Sequence, residues 1–163
     1  MKYFLGMFTI LLAAAMTHGQ SAQSAQPANG QFAYGPQADV PAFHKTAPAP
    51  GEKLPHVLTT QELATSGFIE PARVESYKAA ANPKAARLMY QMPCYCFCDR
   101  NHGHASLHSC FESTHGANCG TCMQEALYTY QQSQKGATAK MIREGIMRGD
   151  FKLVDLQNVT PVK

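Results

Sequence analysis

Six cysteines stand between Cys94 and Cys122, and no other cysteine occurs in the 163 residues. Four histidines, His102, His104, His108 and His115, share the same 29-residue window. Sulfur at this density constrains the fold more than any hydrophobic pattern, because almost any compact path through the window brings several thiols together. Such groups crosslink, hold a soft metal or carry redox chemistry. Cys94, Cys96 and Cys98 alternate with Tyr95 and Phe97. In an extended strand the three sulfurs would point to one side and the two rings to the other, into packing. Cys119 and Cys122 are three apart and therefore neighbours on a helix. At a helix N-terminus the partial positive charge favours the thiolate of Cys119, the form that binds soft metals and attacks disulfides. His104 and His108 share a face if a short helix runs over 105–112, whereas His102-Gly103-His104 reads as a loop.

The ends of the chain set its surroundings. Residues 1–19 read as an export signal: Lys2 is the positive start, and Tyr3 to Met16 form an apolar run of about 14 residues, short of the roughly 18–20 that span a bilayer. Small residues follow, with no cysteine near the cleavage region to take a diacyl lipid. The expected location is periplasmic or extracellular, with no stable membrane span after cleavage, in a compartment where thiols are able to pair. Residues 20–56, rich in Ala, Gln, Pro and Gly with a Ser-Ala-Gln repeat, read as a disordered tether. Residues 158–163 read as a frayed tail holding a glycosylation sequon at Asn158-Val159-Thr160. A net charge of +3 with no clustering of Lys and Arg argues against nucleic acid as a partner.

Between these ends, residues 57–157 are punctuated as helices. Thr59 and Glu62 form a capping box for a short helix ending near Gly67. Glu70-Pro71 opens a second, with Val74, Tyr77 and Ala81 on one face. Asn82-Pro83 breaks it and starts a third, with Ala85, Leu88 and Met89 inward, ended by Pro93. A long helix capped by Asn118 or Thr121 runs to about Gln134, with Cys119, Cys122, Met123, Ala126, Leu127 and Tyr130 on one stripe. Thr138 caps a last helix with Met141, Ile142 and Ile146 inward, closed by Gly149. Only Phe151 to Leu156 alternates in the manner of a strand. The expected fold is a small all-α domain carrying a Cys/His-rich loop segment.

Motif checks narrow the chemistry. Cys119-Gly120-Thr121-Cys122 is a C-x-x-C followed by Met123, which excludes covalent haem attachment of the c type, and no strand precedes it as in a thioredoxin site. Zinc-ribbon spacing needs a second C-x-x-C knuckle. No phosphate loop, nucleophile elbow or carboxylate pair is present.

In these residues the chain resembles the CYCXC or PCYCGC-motif (seleno)proteins, a family of exported bacterial proteins. The resemblance covers about residues 70–150. It rests on Pro93-Cys94-Tyr95-Cys96-x-Cys98-Asp99, Gly103-His104-x-Ser106-Leu107, Cys110-Phe111, His115, Cys119-x-x-Cys122, Glu125-Ala126 and Ile142-Arg143. Phe97 departs from the small residue often seen between the second and third cysteines. The resemblance carries no established activity. It implies a selenolate or thiolate role, in redox chemistry or soft-metal binding.

The expectation taken forward is an exported protein that binds Cu(I) or Zn(II), because thiolates with imidazoles favour soft cations over hard ones. The ligand pool is Cys94, Cys96, Cys98, Cys110, Cys119 and Cys122, with His104 and His115 next. A tetrahedral ion needs only four of these. Two alternatives stay open. One is a thiol–disulfide or peroxide-reducing protein, in which one cysteine of the triple attacks and Cys122 or a neighbour resolves, with His104 or His115 as base and Glu125 tuning it. The other is a disulfide-stapled interaction module, for which six cysteines allow fifteen connectivities.

Overall fold

The computed structural model describes residues 39–163, so the expected signal segment and the first part of the expected tether lie outside the described residues. Local capping chemistry accounts for most of the helices. α1 (Thr60–Thr65) starts on the Thr59/Glu62 capping box, with both reciprocal bonds formed. α2 (Pro71–Ala81) and α3 (Pro83–Met89) each begin with proline at the first turn, where its missing N–H costs nothing. Asn82 joins them, and its side chain accepts from the amides of Lys84 and Ala85. α4 (Cys98–His102) is a single short piece. α5 (Gly120–Gln134) is the longest element, and α6 (Ala139–Arg148) runs from a Thr138 cap to Gly149 in the left-handed region. The described residues form helices and 3₁₀ turns with no strand.

α2, α3 and α5 pack around Tyr77, Met89, Leu127 and Ala126, all fully or almost fully buried. Tyr77 meets Phe111 edge to face with ring centroids 5.0 Å apart. The chain from 90 to 119 crosses this core as an irregular strap, and the helices hold it at named points. The Tyr77 hydroxyl donates to the Ser113 carbonyl (2.5 Å) and accepts from the Ala117 amide (3.2 Å). Arg73 Nε donates to the Ala117 carbonyl at 2.8 Å. At the other end of the strap, Glu125 on α5 accepts from the Tyr95 amide at 2.9 Å.

Several expected faces are turned. On α2 the buried residues are Glu75, Ser76, Tyr77, Ala79 and Ala80, while Ala81 is exposed and Val74 half-buried. Alanines on that side let α2 approach α5 closely, and an alanine-rich helix has too little apolar contrast to reveal its inner face by periodicity. Met141 is 57% exposed instead of inward; α6 faces the core through Ile142 and Ile146, with Gly145 beneath the Tyr128 hydroxyl. α5 is capped by neither Asn118 nor Thr121: Cys119 holds the cap position, and the Asn118 amide donates to the Thr114 carbonyl. Phe151 to Leu156 is not a strand either. Asp150–Leu153 forms a 3₁₀ turn that buries Phe151 and leaves Leu153 outside.

Residues 39–56, read from composition as tether, lie against the domain. Pro41 and Pro48 are buried. The His44 ring stacks on Tyr90 with centroids 3.6 Å apart. Arg87 donates to the carbonyls of Pro48 (2.6 Å) and Ala49 (2.9 Å). Arg143 sits over the Phe43 ring at 4.8 Å. The tail also has contacts: the Val162 amide donates to Glu75 at 2.6 Å, and that of Lys163 to the Tyr130 hydroxyl at 3.1 Å. Stacking and guanidinium–carbonyl bonds hold these segments, and neither leaves an apolar period in the sequence.

Candidate metal centre

The site begins with a tight turn, not an extended strand. After Pro93 the Phe97 amide donates to the Cys94 carbonyl at 3.0 Å, which closes a turn over Cys94–Phe97. Phe97 has φ 57 and ψ 33, the only positive φ on a non-glycine among the described residues, and it leads directly into α4. This reversal, not strand alternation, brings the Cys94 and Cys96 sulfurs to 3.4 Å. Tyr95 and Phe97 pack edge to face on the outside, with centroids 5.8 Å apart. From α5, the Cys122 sulfur lies 3.5 Å from those of Cys94 and Cys96. The three sulfurs thus form a nearly equilateral triangle.

Cys98, at the start of α4, turns to the other side of the cluster, where its sulfur is 3.3 Å from that of Cys110. His104 Nδ1 lies 3.4 Å from the same Cys110 sulfur. His115 completes this group: the donor atoms of Cys98, His104, Cys110 and His115 lie within 4.8 Å of one another. His115 Nε2 is buried with no protein hydrogen-bond partner, an arrangement that costs free energy unless something occupies that nitrogen. The rings of His102, His104 and His115 gather at the rim, His102 and His115 at 4.6 Å and His104 and His115 at 4.8 Å between centroids.

These separations discriminate between chemistries. A disulfide holds its sulfurs at about 2.05 Å. Two ligands of a tetrahedral ion at about 2.3 Å are about 3.8 Å apart. The observed 3.3 to 3.5 Å lie far from the first and near the second. All six cysteines are free thiols.

Among the six thiols only that of Cys96 is shifted downward. Its thiol neighbours, Cys110 first and then Cys119, Cys122 and Cys94, pull the Cys96 thiol far down. Cys110 is pushed up by Cys122, Cys94, Cys96 and Cys98 and by burial. Cys94, Cys98 and Cys122 are each lowered by Cys110, yet other thiols and burial leave them raised: Cys122 and Cys96 act on Cys94, Cys94 and Cys96 on Cys98, and Cys119 and Cys96 on Cys122. Cys119 does occupy a helix N-terminus, but the expected preference for its thiolate is overturned. Cys122 lowers it, and the stronger combination of Cys96 and burial leaves it raised. Burial, followed by His115 and His102, keeps His104 below its ordinary value. Glu125 is fully buried beside the turn; burial pushes its carboxyl up to about 8, and its Oε2 has no protein partner.

Of the residues expected from sequence, the structure brings together Cys94, Cys96, Cys98, Cys110, Cys122, His104 and His115. Cys119 interacts with Cys96 and Cys122 but joins none of the close donor groups. The shared His104/His108 face does not form. A 3₁₀ turn over Leu107–Phe111 replaces the expected helix and sends His108 to Glu112, with Nδ1 3.3 Å from Oε1. Two contributors were not visible beforehand. The spacing places His102 in a loop and gives it no role. Gly116 admits no side chain, because a Cβ there would meet the Cys110 carbonyl at 2.9 Å and the Phe111 ring at 2.9 and 3.0 Å. Only the packed structure reveals that approach, which seats His115 beside Cys110.

A helical domain whose strap gathers free thiols and imidazoles at metal-ligand spacing is, by class, a protein with a potential Cys/His metal centre. Residues 8–152 match the family described as protein of unknown function with PCYCGC motif, and the chain belongs to that family. No curated protein and no solved structure matches it. The family's motif has glycine where this chain has Phe97. That position is the one in the left-handed region, where a Cβ costs about 1–2 kcal/mol and glycine costs nothing. Here the ring is held by Tyr95 and by the Arg100 guanidinium 4.2 Å from its centroid.

Proposed function

We propose that this protein is exported and binds a soft metal ion, Cu(I) or Zn(II), in a role of metal handling by sequestration or transfer. The observation that supports it most directly is the group of two sulfurs and two imidazole nitrogens from Cys98, His104, Cys110 and His115 within 4.8 Å. That is a donor set suited to a tetrahedral thiophilic ion. Elemental analysis of protein purified under anaerobic, chelator-free conditions, paired with a thiol count in denaturant, tests the reading. About one equivalent or more of copper or zinc with six titratable thiols is the expected result. Metal-free protein with its cysteines oxidised would overturn it.

A thiol–disulfide role is the second reading, favoured by the half-buried Cys96 with its lowered thiol 3.5 Å from Cys122. In it the Cys96 thiolate attacks a substrate disulfide and Cys122 displaces the mixed disulfide. The substrate leaves as two thiols and the protein as a Cys96–Cys122 disulfide. Reduction of one equivalent of a disulfide substrate by reduced, metal-free protein, with formation of the Cys96–Cys122 disulfide and loss of the reaction in Cys96→Ser, would favour this reading over the first.

A further inference from the structure

The donors at this centre exceed what one ion uses. Two ligands of a single ion, each at about 2.3 Å, are at most about 4.6 Å apart, and a tetrahedral ion takes four. Cys98, His104, Cys110 and His115 already supply four. Of the four sulfurs that remain, those of Cys94, Cys96 and Cys122 lie 3.4, 3.5 and 3.5 Å from one another, and Cys119 joins no close donor group. An ion about 2.3 Å from all three fits just above the centre of that triangle. Other close groups exist, namely Cys94–Cys110–Cys122, Cys94–Cys96–Cys98 and Cys96–His115–Cys122. Each borrows one donor from the Cys/His set of four. The Cys94–Cys96–Cys122 triangle borrows none, so the two sets can be filled at once.

Resting on the metal-binding reading above, we propose that the centre holds two ions side by side. One lies in the set of Cys98, His104, Cys110 and His115, and the other in the triangle of Cys94, Cys96 and Cys122. The two sets differ in chemistry. Two thiolates and two neutral imidazoles neutralise a divalent zinc-type ion in tetrahedral geometry. Three thiolates with no nitrogen donor form a soft, low-coordinate site that suits monovalent copper. The Cys110 sulfur lies within 4.8 Å of those of Cys94 and Cys122, so the sets share a wall and loading one shapes the other.

The test is native mass spectrometry of the reduced full chain under anaerobic conditions, titrated with Zn(II), with Cu(I), and with both. The wild type should take one ion of each kind when both are present. Cys96→Ser should lose the copper ion and keep zinc. The double variant His104→Ala/His115→Ala should lose zinc and keep copper. Cobalt(II) supplies an independent readout: the four-donor set should give intense tetrahedral d–d bands that vanish in the histidine variant and persist in Cys96→Ser. Circular dichroism establishes that each variant remains helical. If one does not, the wild-type count decides alone. Saturation at one ion, or loss of both ions from either folded variant, overturns the two-ion arrangement and leaves the metal-binding reading standing. Absence of any bound ion removes both.

Discussion

The two walls of the centre are built differently. One is α5, a regular helix that presents Cys122 and Glu125 one turn apart and packs Ala126 and Leu127 beneath them. The other is the strap over residues 93–119, which reverses at Phe97, forms one short helix and two 3₁₀ turns, and supplies the remaining donors of both proposed sets. Backbone hydrogen bonds hold α5 by itself. The strap is held by a few bonds from the helices: Tyr77 to Ser113 and Ala117, Arg73 to Ala117, and Glu125 to Tyr95. Periodic structure spreads its load over many equivalent bonds, whereas an irregular strap concentrates it on a few anchors. Equal perturbations should therefore cost more on the strap.

The sharpest contrast pairs two glycines. At Gly116 a Cβ collides with the backbone carbonyl of Cys110 and a buried ring, neither of which can swing away. Gly116→Ala should cost about 3 kcal/mol in urea unfolding and lower affinity for metal through displacement of Cys110 and His115. At Gly145, on the helical side, the obstacle is mainly the end of the Tyr128 side chain, which can rotate outward. Gly145→Ala should cost about 1 kcal/mol with metal binding intact. Equal losses in the two variants would break the comparison.

Tyr77→Phe comes next. It removes the donor to the Ser113 carbonyl and one of the two acceptors of the buried Ala117 amide, which keeps the Thr114 carbonyl at 3.2 Å, for about 1 kcal/mol. Because those bonds anchor the His115 end of the strap, the variant should also lose more of its zinc affinity than of its copper affinity. A uniform loss of both would count against separate anchoring.

Phe97 sharpens the comparison at the turn. Phe97→Gly relieves the left-handed backbone but forfeits the Tyr95 and Arg100 contacts, so its stability should stay within about 1 kcal/mol of the wild type. Phe97→Val, branched at Cβ in the same conformation, should fall about 1–2 kcal/mol below Phe97→Gly in the same unfolding experiment.

The smallest effect belongs to α1, far from the centre. Bonds from the backbone and side chain of Thr59 hold Glu62 at a pKa of about 2, below the ordinary 4.5. A depressed carboxylate contributes stability above its unfolded value and loses that contribution as pH falls through the folded one. Between pH 4.5 and 2 the wild type should therefore lose slightly more stability than Glu62→Gln. Identical acid-unfolding curves would show that the Glu62 charge contributes nothing in solution.

Legibility followed the same division. Thr59 with Glu62, Pro71, Pro83 and Thr138 placed helix starts correctly because capping is local chemistry, decided within one turn of chain. Ala81 and Met141 fall on the inner faces that periodicity predicts yet lie outside: an alanine-rich α2 takes its facing from neighbours, and α6 turns its Ile142–Ile146 stripe to the core. That thiols would gather with imidazoles was legible from density and residue type; the structure brings His104 and His115 to five of the six cysteines and leaves Cys119 outside the close groups. Cys94 to Cys98 as a strand, His108 beside His104 and a preferred thiolate at Cys119 were not what folded. The left-handed Phe97, the 3₁₀ turn over Leu107–Phe111 and the ring of sulfurs around Cys96 decided those points.

Sequence alone determined that this protein is helical and that its candidate metal ligands lie in one thiol-and-imidazole segment, because helix signals act over a few residues and ligand types are written in the side chains. The tertiary structure decided which donors meet. Cys122 reaches Cys94 across 28 positions, and His115 reaches Cys98 only because Gly116 and Tyr77 bring the strap against the core. Distances across such separations depend on where the chain is anchored, and the anchors exist only once α2 and α5 have packed.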